Sequence, residues 1–207
     1  MYPTAPDLSD KETVNILPWE DAKVEAIGFD ARSEYAETFW LPILGPSTLL
    51  LLRNMAQRFD DEPAGLIIDI DETASALGIG SRRGRNSAFH RSVNRIVNFA
   101  MARTIDDATL EVRRIIPPLH SGQVRRLTAG GQRLHDKFMT ARQCASDEDL
   151  LRATKVASTL LRLGDSPDLV EQQLVVWGVQ PAAAKTAVDH AWADKAREDG
   201  ANAYSPA

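Results

Sequence analysis

From position 46 onward, apolar residues recur at three- and four-residue spacings, the period of a helix with one buried face. Leu49, Leu50, Leu52, Met55, Ala56 and Phe59 follow Pro46 in this way. Pro46 suits a first helical turn, where its missing N–H costs nothing. Asp60-Asp61-Glu62-Pro63 ends the helix, because the residue before a proline avoids the helical region. The period then changes. Residues 65–70 are a short β-branched run and predict a strand. Residues 71–77 predict a short helix with Asp71 as its cap and Gly78 as its left-handed stop. Residues 80–86 form a basic turn, and Ser87 caps a third helix over about 88–102. Wheel positions place Phe89, Val93, Ile96, Val97 and Ala100 on one side of that helix, with Arg91, Asn94, Arg95 and Asn98 on the other. Residues 102–105 and 109–116, joined by Asp106-Asp107-Ala108, predict a β-hairpin that Pro117-Pro118 ends.

The flanks read less regularly. Residues 1–32 mix proline and charge without a clear period and predict a flexible acidic N-terminal arm, in which Trp19 docks onto the body. Residues 34–40 predict a short helix broken at Leu41-Pro42. After the hairpin come a helical turn over 120–127, with Arg125 and Arg126 exposed, and a helix capped by Thr128 that runs to about Gln143. Ser146, with Asp147, Glu148 and Asp149 behind it, marks a new helix to Leu163. Ser166-Pro167 starts the next, and Pro181 the last, to about Arg197. The domains predicted are thus an arm (1–32), a middle domain (33–145), a small helical module (146–197) and a disordered tail (198–207). Trp177 and Trp192 are expected to pack together within the module. A fragment over 30–145 is expected to fold alone.

The order helix, strand, short helix, turn, amphipathic helix, hairpin is that of a winged helix-turn-helix, whose second helix of the pair enters the major groove. The fold class expected is mostly α with a small β-hairpin: a winged helix-turn-helix followed by a three-helix C-terminal module.

Charge sharpens this picture. The chain carries a net −5, which alone argues against nucleic acid. Residues 80–137, however, hold 12 basic and 4 acidic groups, a net +8, and eleven of the twelve are arginine. Arginine's planar fork suits phosphates and guanine edges. Arg91, Asn94, Arg95 and Asn98 are the candidates for base contact on the third helix. Arg82, Arg83 and Arg85, with Ser87 at the helix start, are candidates for phosphate. Arg103, Arg113 and Arg114 on the hairpin complete the candidate DNA contacts. The acidic hairpin tip, Asp106-Asp107, opposes deep insertion into a minor groove, so the hairpin either stays shallow or meets protein.

The segments FWLPILGPSTLLLLRNMAQRF, IDIDETASALGIG, GRNSAFHRSVNRIVNFAMA and LEVRRIIPPL resemble a group of uncharacterised actinobacterial winged-helix proteins, over roughly residues 35–135. The Trp40-Leu-Pro-Ile-Leu-Gly-Pro segment is similar to the opening of winged-helix domains in DnaD/DnaB-type replication-initiation proteins. These resemblances imply a winged-helix fold and DNA binding, without a ligand or operator. Residues 146–197 resemble ubiquitin-associated-like three-helix modules in size and order, and no function is carried from that.

Other chemistry is thin. Leu66-Ile-Ile-Asp-Ile-Asp-Glu-Thr73 looks like the first motif of haloacid-dehalogenase-type phosphatases, with Asp69 as nucleophile and Asp71 as acid/base. No second strand-end Thr or Ser, lysine or further acidic series follows it. The four histidines have no short pair spacing, and the single Cys144 excludes an intrachain disulfide. No metal and no cofactor is expected. Nothing points to export or to a membrane span, so the cytoplasm is the expected location. The expected partner is double-stranded DNA, with protein partners or self-association through the C-terminal module. The function expected is transcriptional regulation. Its alternatives are a replication or partition accessory protein, and a winged-helix interaction module without DNA binding.

Overall fold

The computed structural model describes residues 5–80 and 87–202. Most of these residues are helical, around one small sheet. The chain divides into two compact units, one ending at His135 and the other beginning at Asp136.

In the first unit the elements are β1 (Thr13–Pro18), α1 (Ala22–Ile27), β2 (Phe29–Asp30), a π-helical turn (Ala36–Trp40), α2 (Leu41–Leu44), α3 (Pro46–Arg58), β3 (Leu66–Asp69) and α4 (Ile70–Ala76). Then follow α5 (Ala88–Asn98), β4 (Ala102–Asp106), β5 (Thr109–Val112), β6 (Ile115–Ile116) and α6 (Ser121–Val124). The expected sequence of helix, strand, short helix, amphipathic helix and hairpin is present as α3, β3, α4, α5 and β4–β5.

The N-terminal segment is where expectation fails. Residues 1–32 are not a flexible arm: β1 is an inner strand of a four-stranded sheet ordered β3-β1-β5-β4. It runs antiparallel to β3, with Val14 opposite Ile68, and parallel to β5, with Ile16 opposite Leu110. Thr13-Val14-Asn15-Ile16 alternates polar and apolar, so Val14 and Ile16 both point into the core and are buried. Gly65 makes this insertion possible. Its φ is +121°, and a Cβ there would lie 2.9 Å from the Ile16 carbonyl oxygen and 2.7 Å from Leu17. Further along, Phe29–Asp30 pairs with Ile115–Ile116 as a second, two-stranded sheet.

The break expected at Leu41-Pro42 is absent too. Helical backbone runs through it, because the π turn ahead of Pro42 bonds Leu41 N–H to the Ala36 carbonyl and so shifts the ladder before the proline. At the end of α5, Ala100 takes a left-handed φ of 56°. Met101 N–H then reaches back to the Ile96 carbonyl and Ala100 N–H to Val97, a helix stop usually built with glycine. The core under these elements includes Tyr35, Phe39, Trp40, Leu52, Phe89 and Ile96, all nearly inaccessible.

The second unit contains α8 (Pro167–Val176), α9 (Pro181–Asn202) and most of α7 (Ala129–Leu163), which begins in the first unit. Helix α7 is a single run of 35 residues, so the expected restart at Ser146 does not occur. No glycine or proline interrupts residues 132–163, and the acidic cluster is absorbed by pairs along the helix. Gln143 donates to Asp147, and Arg152 pairs with Glu148 and Asp149. Trp177 and Trp192 are exposed rather than packed together. The core of the unit is instead alanine-rich, with Ala153, Ala157, Ala184 and Ala187 around Leu161 and Leu174. No helix among the described residues is long and apolar enough to cross a membrane.

Three outcomes follow from this architecture. Truncating Ile16 to alanine is expected to cost about 2–5 kcal/mol, read as a lower urea midpoint. A fragment starting at residue 30 is expected to lose cooperative unfolding, in contrast to the expectation from sequence, because it lacks β1. Ala100→Gly relieves about 1–2 kcal/mol of left-handed strain against about 0.4–1 kcal/mol of unfolded-chain entropy. It is therefore expected to raise Tm, and a fall would contradict the account of this helix stop.

Candidate nucleic-acid interface

Helix α5 is set in place by its cap and its apolar face. Ser87 Oγ accepts from His90 N–H at 3.0 Å, which satisfies one of the free donors of the first turn. Ser87 is therefore occupied as a cap. Phe89, Val93, Ile96 and Val97 are buried. The expected outer face is realised: Arg91, Arg95 and Asn98 are exposed and Asn94 is half-buried. Arg91 has no ion-pair partner among the described residues. Arg95 is tethered. Its Nη2 donates to the Ile43 carbonyl at the end of α2, at 2.5 Å, and its guanidinium lies 5.8 Å from the Phe99 ring centre. Arg82, Arg83 and Arg85 lie outside the described residues.

Of the hairpin arginines, Arg113 is placed otherwise than expected, while Arg103 and Arg114 are half-exposed and paired with carboxylates. Arg113 is buried and faces inward. Its Nη2 contacts Asp21 Oδ2 at 2.9 Å, its Nε donates to the Ala100 carbonyl at 3.0 Å, and its Cζ sits 3.5 Å above the Trp19 ring. Its guanidinium is thus committed to an internal ion pair and a backbone bond. Burial of a guanidinium requires such pairing, and the segment before α1 supplies it. Arg103 pairs with Glu111 across the hairpin, and its guanidinium lies 4.9 Å from Trp19. Arg114 pairs with Asp60 at 2.8 Å, and Asp60 is shared with Arg32, which also grips Asp30 through two nitrogens at 2.8 and 2.9 Å. The Arg32 guanidinium holds the Asp30 carboxyl below its usual range, as Arg113 does for Asp21. At the tip, Asp106 accepts from Ala108 N–H at 2.8 Å, and that bond, with others from Thr109, keeps its carboxyl below the usual range as well. The tip is thus firmly anionic.

Beyond the hairpin, α6 carries a capping box: His120 Nδ1 accepts from Gly122 N–H and Gln123 Oε1 from His120 N–H. It ends in Arg125 and Arg126, both exposed. Arg126 lies 5.8 Å from the Phe99 ring centre, on the same aromatic group as Arg95. Both are exposed, as their sequence context predicts, and the fold brings Arg126 to the end of α5. Arginines twenty-six and more residues from Phe99 give no periodic signal of the contact.

The Asp69 motif resolves locally. Asp69, not Asp71, caps α4, accepting from Glu72 N–H at 2.8 Å. The strand it ends, β3, lies at the sheet edge, antiparallel to its one neighbour. Among the described residues no group of three His, Cys, Asp or Glu is arranged to hold a metal ion. Comparison with protein families, with curated proteins and with solved structures returns no match.

The Asp21–Arg113 pair generates a pH dependence. A depressed folded-state pKa means that its stabilisation is present above the ordinary carboxylate value of 3.8 and is lost as pH falls through the folded value. Asp21→Asn keeps a side chain able to cap α1 but removes the charge. It is expected to be less stable than the parent chain at pH 6, with the gap in urea midpoint shrinking as pH drops below 3.8. A gap independent of pH would show that the charge contributes nothing.

Proposed function

We propose that the first unit is a winged helix-turn-helix that binds double-stranded DNA through α5, and that the protein acts as a transcriptional regulator in the cytoplasm. The observation that carries this reading is the outer face of α5. It presents Arg91, Asn94, Arg95 and Asn98 away from a fully buried apolar face. Its position as the second helix of the α4–α5 pair, after a sequence segment that holds three further arginines, supports a recognition-helix role. The α3, β3, α4, α5, β4–β5 order supports the winged-helix assignment, with β1 as an added strand between β3 and β5.

Arg91 is the side chain best placed to read a base. It is exposed and has no ion-pair partner among the described residues, whereas Arg95 holds the Ile43 carbonyl. Arginine reads guanine through two parallel bonds, and the asparagines suit adenine in the same manner. Selection from a random pool, followed by anisotropy titration, tests this. Arg91→Ala is expected to cost about 1–3 kcal/mol on the selected duplex and much less on random DNA. Equal losses on both would make α5 a backbone binder, as a replication or partition accessory protein would use it. The internal pairing of Arg103, Arg113 and Arg114 favours the remaining alternative, an interaction module without DNA binding. That alternative stands if the full chain fails to bind a mixed-sequence duplex pool at low salt.

A further inference from the structure

We infer that the duplex is held along a path from α5 to the α6 turn, through Arg91, Arg95, Arg126 and Arg125, and that the β4–β5 hairpin takes no part. The inference rests on the DNA reading above and specifies which surface carries it.

Charge divides the arginines of α5, the hairpin and the α6 turn into two sets. Arg103, Arg113 and Arg114 each face a carboxylate of this chain: Glu111, Asp21 and Asp60. A phosphate approaching them would have to displace that partner and, for Arg113, a backbone bond and an aromatic face as well. The tip adds Asp106 and Asp107, both exposed. A phosphate backbone laid along this hairpin meets neutralised arginines and two anions. The second set has no ion-pair partner among the described residues: Arg91, Arg95, Arg125 and Arg126.

Packing holds part of this second set in position. Phe99 stands edge-on to Trp40, with ring centres 6.2 Å apart and planes at 89°. Trp40 is fixed in turn by its Nε1 bond to the Pro117 carbonyl at 3.0 Å. Arg95 and Arg126 each lie 5.8 Å from the centre of the Phe99 ring, so they can be no further apart than twice that distance. An arginine against a ring keeps its N–H edges available for phosphate. Of its five donors, Arg95 commits one nitrogen to Ile43. Side chains already held this way lose less rotamer freedom on binding. The α6 capping box fixes the turn from which Arg125 and Arg126 project.

The test uses the full chain and a fluorescent mixed-sequence duplex, titrated over a range of salt. Each lost phosphate contact lowers the slope of log affinity against log salt by about 0.9. R125A/R126A is expected to lower it by about 1.8, which corresponds to roughly 30-fold weaker binding at 0.15 M salt when carried from 1 M. D107K, at the hairpin tip, is expected to change affinity by less than about twofold at that salt, where the screening length is ~8 Å. Arg126 also packs on Phe99, so R125E provides a second variant whose parent side chain makes no such contact. It is expected to weaken binding at least tenfold with unchanged Tm. If R125A/R126A and R125E leave the slope unchanged while R91A weakens binding, the α6 path is wrong and the α5 reading stands. A tenfold or greater gain from D107K would place the hairpin on DNA and overturn the inference. No binding by the parent chain would overturn the inference together with the DNA reading beneath it.

Discussion

The insertion of β1 between β3 and β5 is the constraint on which the first unit depends. In the order β3-β1-β5-β4, removal of the second strand leaves β3 without a ladder partner and exposes one side of β5. Each unpaired backbone group buried by the remaining fold would then cost more than a hydrogen bond returns. Val14 and Ile16 also fill the layer beneath the helices, where both are nearly inaccessible. The strand carries the chain directly to Trp19 and Asp21, and those residues lie on Arg113. The same insertion that completes the sheet therefore delivers the counter-charge for a buried guanidinium.

This coupling changes what the charge distribution means. The acidic N-terminal region and the basic middle region look like separate blocks along the chain. In the folded unit, Asp21, Asp30 and Asp60 lie beside Arg113, Arg32 and Arg114. Charge counted over a segment thus overstates the field at the hairpin and leaves that at α5 unaffected. Among the described residues, Arg91 and Arg95 on α5 and Arg125 and Arg126 at the α6 turn face no carboxylate, and the proposed interface lies there. A net-negative protein can present such a surface, because screening confines each field to about a Debye length.

Helices α3 and α5 and the hairpin were legible in the sequence, because amphipathic period and turn chemistry agree within each segment. The outer face of α5 was legible for the same reason. Strand β1 was harder. Its alternation covers only four residues and is framed by charged residues and prolines, so composition outweighed it. Gly65 was a second signal, since a glycine opening a strand marks close backbone approach, but nothing local names the approaching strand. The fate of Arg113 was illegible without β1. The continuity of α7 was missed because Ser146-Asp-Glu-Asp has the form of a helix start, and only side-chain pairing along the helix cancels that signal. The meeting of Arg95 and Arg126 on Phe99 is a tertiary contact with no periodic trace.

The central claim is that α5 and the turn after the hairpin, rather than the hairpin itself, face DNA. Amide chemical-shift mapping of the full chain on addition of a selected duplex tests it most directly. The account predicts that the largest changes fall on residues 88–98 and 121–127, with residues 103–111 little affected. Changes concentrated on residues 103–111, or no changes at all in a salt where the duplex is in excess, would contradict it.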